Sequence, residues 1–174
     1  VASLARLNKV VSSEPIATPE VYQLIRAVAD HYAGVWSDVA RLAIAPRHAA
    51  TEKAPQREWP APKPLERAVV LPAYPEGQGL LDALEAGRSP RLLWQAASVF
   101  GGPGDLLGGV MEAVDATVRS GRSCIVILPT VRELTPALAR FRATFGHGAV
   151  GSLASEAGRS ARYRAYLAAS RGEA

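Results

Sequence analysis

Two stretches of this chain set phosphate-handling groups at the mouth of a helix. The first reads Phe100-Gly101-Gly102-Pro103-Gly104-Asp105-Leu106-Leu107-Gly108. Backbone N–H groups of Gly101, Gly102 and Gly104 just ahead of a helix form the kind of loop that cradles phosphate oxygens. A Walker loop also needs a lysine for the outer phosphates and a hydroxyl for magnesium. No lysine follows Lys63, and Asp105 brings negative charge to the helix start. The stretch therefore reads as a degenerate nucleotide loop, or as a plain turn onto a capped helix. The second stretch is Leu128-Pro129-Thr130-Val131-Arg132-Glu133-Leu134-Thr135-Pro136. The hydroxyls of Thr130 and Thr135, backbone amides and the Arg132 charge suit a nucleic-acid backbone. Equally, Thr135 serves as an N-cap and Arg132 as a solvated side chain. Near the C-terminus Arg159, Arg162 and Arg164 interleave with Tyr163 and Tyr166, a mixture that pairs with phosphates or stacks a base. Helical spacing also lets the tyrosines pack inward while the arginines stay in water.

Other chemistries drop away. Cys124 is the single cysteine, set in an apolar run that reads as core, so no internal disulfide forms. His31, His48 and His147 are scattered without acidic companions, which leaves no catalytic triad and no metal-ligand spacing. No run approaches the roughly 18 apolar residues of a membrane span, and no charged-then-apolar leader opens the chain. Starting at Val1, the sequence reads as an excised fragment from a reducing cytoplasm. Of 174 residues 48% are apolar, enough for a real core, and the net charge is +4. The excess is concentrated from residue 132 onward, where seven arginines face Glu133, Glu156 and Glu173. Such an excess attracts phosphates.

These groups need elements to hold them. Seven prolines fall between Pro46 and Pro75, and the dense run at 54–64 suits neither a helix nor a central strand. It divides the chain into a helical segment at 1–48, a linker at 49–66 and a second piece at 67–174. In the first piece Thr18-Pro19 offers a cap and a helix start. Val21, Leu24, Ile25, Val28, Ala29 and Tyr32 then recur at helical spacing up to Gly34. A shorter helix is expected from a Ser37 cap to a stop at Pro46. The second piece alternates apolar runs with helical patterns, which predicts βαβ units in a mostly parallel sheet. Strands are expected at 91–97, 123–128 and 149–153. Helices are expected from an Asp105 cap to Ser120-Gly121, from Thr135-Pro136, and over about 155–170.

Taken together, these segments resemble the primosomal protein N′ family, the bacterial replication-restart helicase PriA. The likeness is carried by Val10-Val11-Ser12-Ser13-Glu14-Pro15-Ile16-Ala17-Thr18-Pro19-Glu20, by Ala27-Val28-Ala29-Asp30-His31-Tyr32 and by Asp38-Val39-Ala40-Arg41-Leu42-Ala43-Ile44-Ala45-Pro46. It resumes at Ser120-Gly121-Arg122, Ile125-Val126-Ile127-Leu128-Pro129, Leu134-Thr135-Pro136, Ser152-Leu153 and Arg171-Gly172-Glu173-Ala174. The resemblance implies an α/β architecture: part of a permuted winged helix, a proline-rich linker, and the start of a RecA-like helicase lobe. Residues 123–128 and the loop after them would be a strand followed by motif Ia, so Thr130, Arg132 and Thr135 would touch DNA. It implies branched or junction DNA and other primosome and replication proteins as partners, a cytoplasmic, nucleoid-associated setting and no membrane. ATP with magnesium, and zinc, are cofactors expected from the family alone, with no zinc ligands in this segment. The missing lysine is a departure from the family, pointing to the actinobacterial branch with degenerate ATPase motifs and to fork recognition without strand separation. Two other readings stay open: an ATP-dependent 3′-5′ helicase with an unconventional phosphate loop, and an architectural protein-interaction module.

Overall fold

Thr18-Pro19 starts the first helix as its chemistry requires. In the computed structural model, which describes residues 8–12, 14–55, 60–96 and 105–171, the Thr18 hydroxyl oxygen accepts from the Val21 N–H and α1 spans Pro19–His31. Helix α2 (Trp36–Ala43) packs on α1, with Tyr22 stacked on Trp36 at 6.0 Å between ring centroids. A short α3 (Ala49–Glu52) follows, capped by His48, whose Nδ1 accepts from the Thr51 N–H. Beyond the proline-rich run come a 3-10 turn (Leu71–Ala73), α4 (Gly77–Glu85), α5 (Leu106–Arg119), α6 (Val131–Phe145) and α7 (Arg159–Ser170).

Helix α5 is the axis of the second piece. One of its faces sets Leu107 and Met111 against Ala137, Phe141 and Phe145 of α6. Another face brings Ala116 to Leu71 and to Leu81 of α4. It also buries two carboxylates. Glu112 accepts three consecutive backbone N–H groups, from Val69 at 2.6 Å, Val70 at 2.8 Å and Leu71 at 2.7 Å. Asp115 accepts from the Leu65 N–H at 2.9 Å and pairs with Arg119, which in turn donates to the Leu65 carbonyl. A buried carboxylate is costly unless its lone pairs are filled, and here the polypeptide leaving the linker fills them. Residues 65–71 are thereby strapped onto α5.

The expected α/β class is corrected. Among the described residues there is no β-strand, and no backbone hydrogen bond joins 91–96 to 123–128. The RecA-like lobe with a mostly parallel sheet is thus replaced by helices joined by extended segments. The reason lies in burial. A central strand hides both faces between neighbours, whereas 123–128 hides one: Val126 and Leu128 pack on the α5–α6 core, while Ile125 and Ile127 are 85% and 87% exposed. In the same way 91–96 is anchored by Trp94, whose ring lies so close to α5 that a Cβ on Gly109 would meet it at 2.3 Å. Its neighbour Leu93 is 96% exposed. At 149–153 Val150 touches the core and Leu153 faces solvent. Cys124, expected in a core strand, is exposed. A short apolar run does not by itself say how many of its faces are covered.

The N-terminal segment packs on α7. Glu52 gathers hydrogen bonds from Ser12 at 2.8 Å, from Arg47 Nε at 2.8 Å and from the Tyr163 hydroxyl at 2.9 Å. Thr51 shares a hydrogen bond with Ser160, Arg171 holds Glu14 through two nitrogens, and the Tyr166 hydroxyl donates to the Ile16 carbonyl. The hydrogen bonds from Arg47, then Ser12, pull the Glu52 carboxyl down to about 2. Burial, reinforced by Glu52, pushes the Tyr163 phenol up to about 12. The Arg171 hydrogen bond likewise lowers Glu14.

Candidate nucleic-acid interface

Gly101, Gly102 and Gly104 lie outside the described residues; the helix they lead into does not. Its cap, Asp105, is 2% exposed, accepts from the Gly108 N–H at 2.7 Å and forms an ion pair with Arg140 of α6. The positive end of the α5 dipole, where a phosphate would gain most, is therefore already faced by the protein's own carboxylate.

Thr130 and Thr135 exchange the roles expected of them. Thr130, not Thr135, caps α6, and the helix starts at Val131, a turn earlier than Thr135-Pro136 suggested. The cap is reciprocal, in the manner of a capping box. The Glu133 N–H points to the Thr130 oxygen at 3.4 Å, and the Thr130 hydroxyl donates to the Glu133 carboxylate at 3.2 Å. Pro136 sits inside the helix, and the Thr135 hydroxyl donates to the Val131 carbonyl at 3.1 Å. Arg132 is exposed and makes no ion pair among the described residues. The first turn of α6 thus offers one open cation beside a carboxylate.

On α7 the three arginines do not share a face. Arg159 and Arg162 stand one turn apart, but Arg164 is two residues from Arg162, a spacing that turns it aside. Arg159 and Arg164 are exposed, whereas the Arg162 Nε is buried without a hydrogen-bond partner among the described residues. The tyrosines between them face inward: Tyr163 is 1% exposed and bound to Glu52. Stacking on a base is closed to Tyr163 in this arrangement.

The concavity of this region lies beside α6. A cleft of about 540 Å³ runs along the helix stripe carrying Leu134, Thr135, Leu138 and Arg142, and is closed on the other side by His147, Ser152 and Glu156. The Arg142 Nε is buried and lacks a hydrogen-bond partner among the described residues. Sequence reasoning found Thr135 but missed the other polar groups of the cleft. The available signal was that α6 bears two apolar stripes: one, Ala137, Phe141 and Phe145, faces the core, and the second, Leu134 and Leu138, has no helix to cover. Among the described residues no group of three His, Cys, Asp or Glu side chains is arranged to hold a metal ion.

No protein-family model matches the chain, and no solved structure matches it. Curated proteins do. A protein of Mycobacterium tuberculosis named "Probable replication restart protein PriA" is 39% identical over 98% of this chain, and its namesake in Mycobacterium leprae is 34% identical over the same share. The chain belongs to the PriA family. It spans about a quarter of the length of these relatives, 26%. The PriA match runs through the N-terminal helices, the α5–α6 body and α7 alike, so the cleft beside α6 falls within the shared stretch. No helix among the described residues is long and apolar enough to cross a membrane.

Proposed function

We propose that this chain serves replication restart as a DNA-recognising segment, binding branched or stalled-fork DNA and helping to reload the replicative helicase at the nucleoid, without driving strand separation itself. The observation that carries this reading is the 39% identity, over 98% of the chain, to proteins named for replication restart. The charge distribution supports it, since Arg132, Arg142, Arg159 and Arg164 add to a C-terminal positive excess and phosphate contacts dominate nucleic-acid affinity. The absence of strand separation is supported by the lack of any lysine after Lys63 and by Asp105, whose carboxylate faces the α5 amides.

The test is fluorescence anisotropy of the chain against a labelled fork and a blunt duplex over a salt series. Preferential, salt-sensitive binding to the fork is expected, with a shallower salt slope once Arg159, Arg162 and Arg164 are changed to alanine. An unchanged slope would strike those three from the contacts. Calorimetric titration with magnesium-ATP is expected to show affinity no tighter than about millimolar; micromolar binding would restore the motor reading.

A further inference from the structure

We propose that the cleft beside α6 seats one unpaired nucleotide of single-stranded DNA. Its phosphate would lie on Arg142, its base against Leu134 and Leu138, and an exocyclic amino group of that base would donate to Glu156. The inference rests on the reading that the chain binds DNA, and adds where and by what chemistry an unpaired base is taken. Size comes first. At about 540 Å³ the cleft falls among sites that take small ligands, roughly 300–1,000 Å³, and is too narrow for a duplex.

Charge comes next. Arg142 and Glu156 line the same cleft, yet no ion pair joins them among the described residues. The Arg142 Nε is buried with its hydrogen unspent. Opposite charges that share a cleft without meeting suit a ligand carrying both an anion and a hydrogen-bond donor, separated by a flat apolar body. A nucleotide has that anatomy. An acidic peptide would meet Glu156 as a like charge and offer it no donor in its side chains.

The lining then narrows the base. Carboxylates accept from exocyclic amino groups such as the cytosine N4 amine, a donor that thymine lacks. Ser152 and His147 supply further polar groups at the rim. Toward the start of α6 the cleft passes Thr135 and Val131 and leads to the exposed Arg132, so the same strand can continue onto that cation about 15 Å away along the helix.

Anisotropy with labelled oligo-dC and oligo-dT of equal length decides it. Tighter binding of oligo-dC is expected, with about tenfold loss in Arg142→Ala. Ala139→Leu fills the cleft from an exposed helical position, so a comparable loss is expected there while circular dichroism stays unchanged. Glu156→Ala is expected to erase the preference for dC over dT. If the wild-type chain binds DNA but Arg142→Ala and Ala139→Leu both stay within about twofold of it, the cleft proposal falls and the DNA reading stands. If the wild-type chain binds no DNA at all, both fall together.

Discussion

Around α7 the contacts are nearly all polar: Ser12, Arg47 and Tyr163 converge on Glu52, and Arg171 clasps Glu14. Between α5 and α6 they are apolar, Leu107 and Met111 against Phe141 and Phe145. Apolar burial stabilises in proportion to area and is indifferent to pH, whereas a carboxylate held by several donors depends on its charge. The N-terminal segment is therefore fastened by a junction that acid can undo, and the helical body by one that acid leaves alone. The body borrows the polar device in one place, where Glu112 and Asp115 bind the backbone leaving the linker.

The contrast can be broken most forcefully in the body. Phe141→Ala should cost about 3–5 kcal/mol in urea unfolding, the range for a large core side chain. A loss under about 1 kcal/mol would mean that the α5–α6 contact is not a packed core. Glu112→Ala should cost about 3 kcal/mol, because it strands the N–H groups of Val69, Val70 and Leu71. Equal stability in the variant would show that water replaces the carboxylate without penalty.

Smaller effects probe the polar junction. Tyr163→Phe removes one hydrogen bond to Glu52 and should cost about 1 kcal/mol. Its pH dependence is signed. Glu52 is held at about 2 against an ordinary 4.5, so its contribution is complete above 4.5 and is lost as pH falls toward 2. Tyr163 is raised from 10 to about 12, so its share is complete below 10 and is lost as pH climbs through 12. Hydrogen exchange of the α7 amides should thus accelerate at both extremes, with the alkaline limb gone in Tyr163→Phe. An α7 whose exchange tracks α6 across the whole range would merge the two regions into one. The smallest effect is expected at Ile127→Ser, within about 0.5 kcal/mol, beside about 1 kcal/mol for Val126→Ala. Similar losses at both would mean that the extended segment is covered on both faces.

Where a helix announces itself through its cap, the sequence could be read almost to the residue. Thr18-Pro19 and Asp105 start α1 and α5 as expected, and Ser120-Gly121 closes α5. Helix α4 escaped notice because Glu76, in the left-handed region at φ 59°, stands where a capping Ser or Asp would be, and Gly77 and Gly79 resemble loop. The apolar run at 123–128 misled because Ile125 and Ile127 carry the same hydrophobicity as Val126 and Leu128, and composition does not reveal which pair is covered. Of the candidate site, Thr130, Arg132 and Thr135 were visible as phosphate chemistry. Arg142, Ser152 and Glu156 meet only once the segment after α6 folds back beside that helix, a juxtaposition that spacing along the chain does not encode.

The strap of Glu112 and Asp115 carries a corollary for variation among relatives. Because α5 fixes the register of the chain at Leu65 and again at Val69 to Leu71, residues gained or lost in the proline-rich stretch upstream are absorbed before they reach the helical body. Loop closure penalises such length changes only logarithmically. The spacer is thus free to drift in length while everything downstream keeps its alignment.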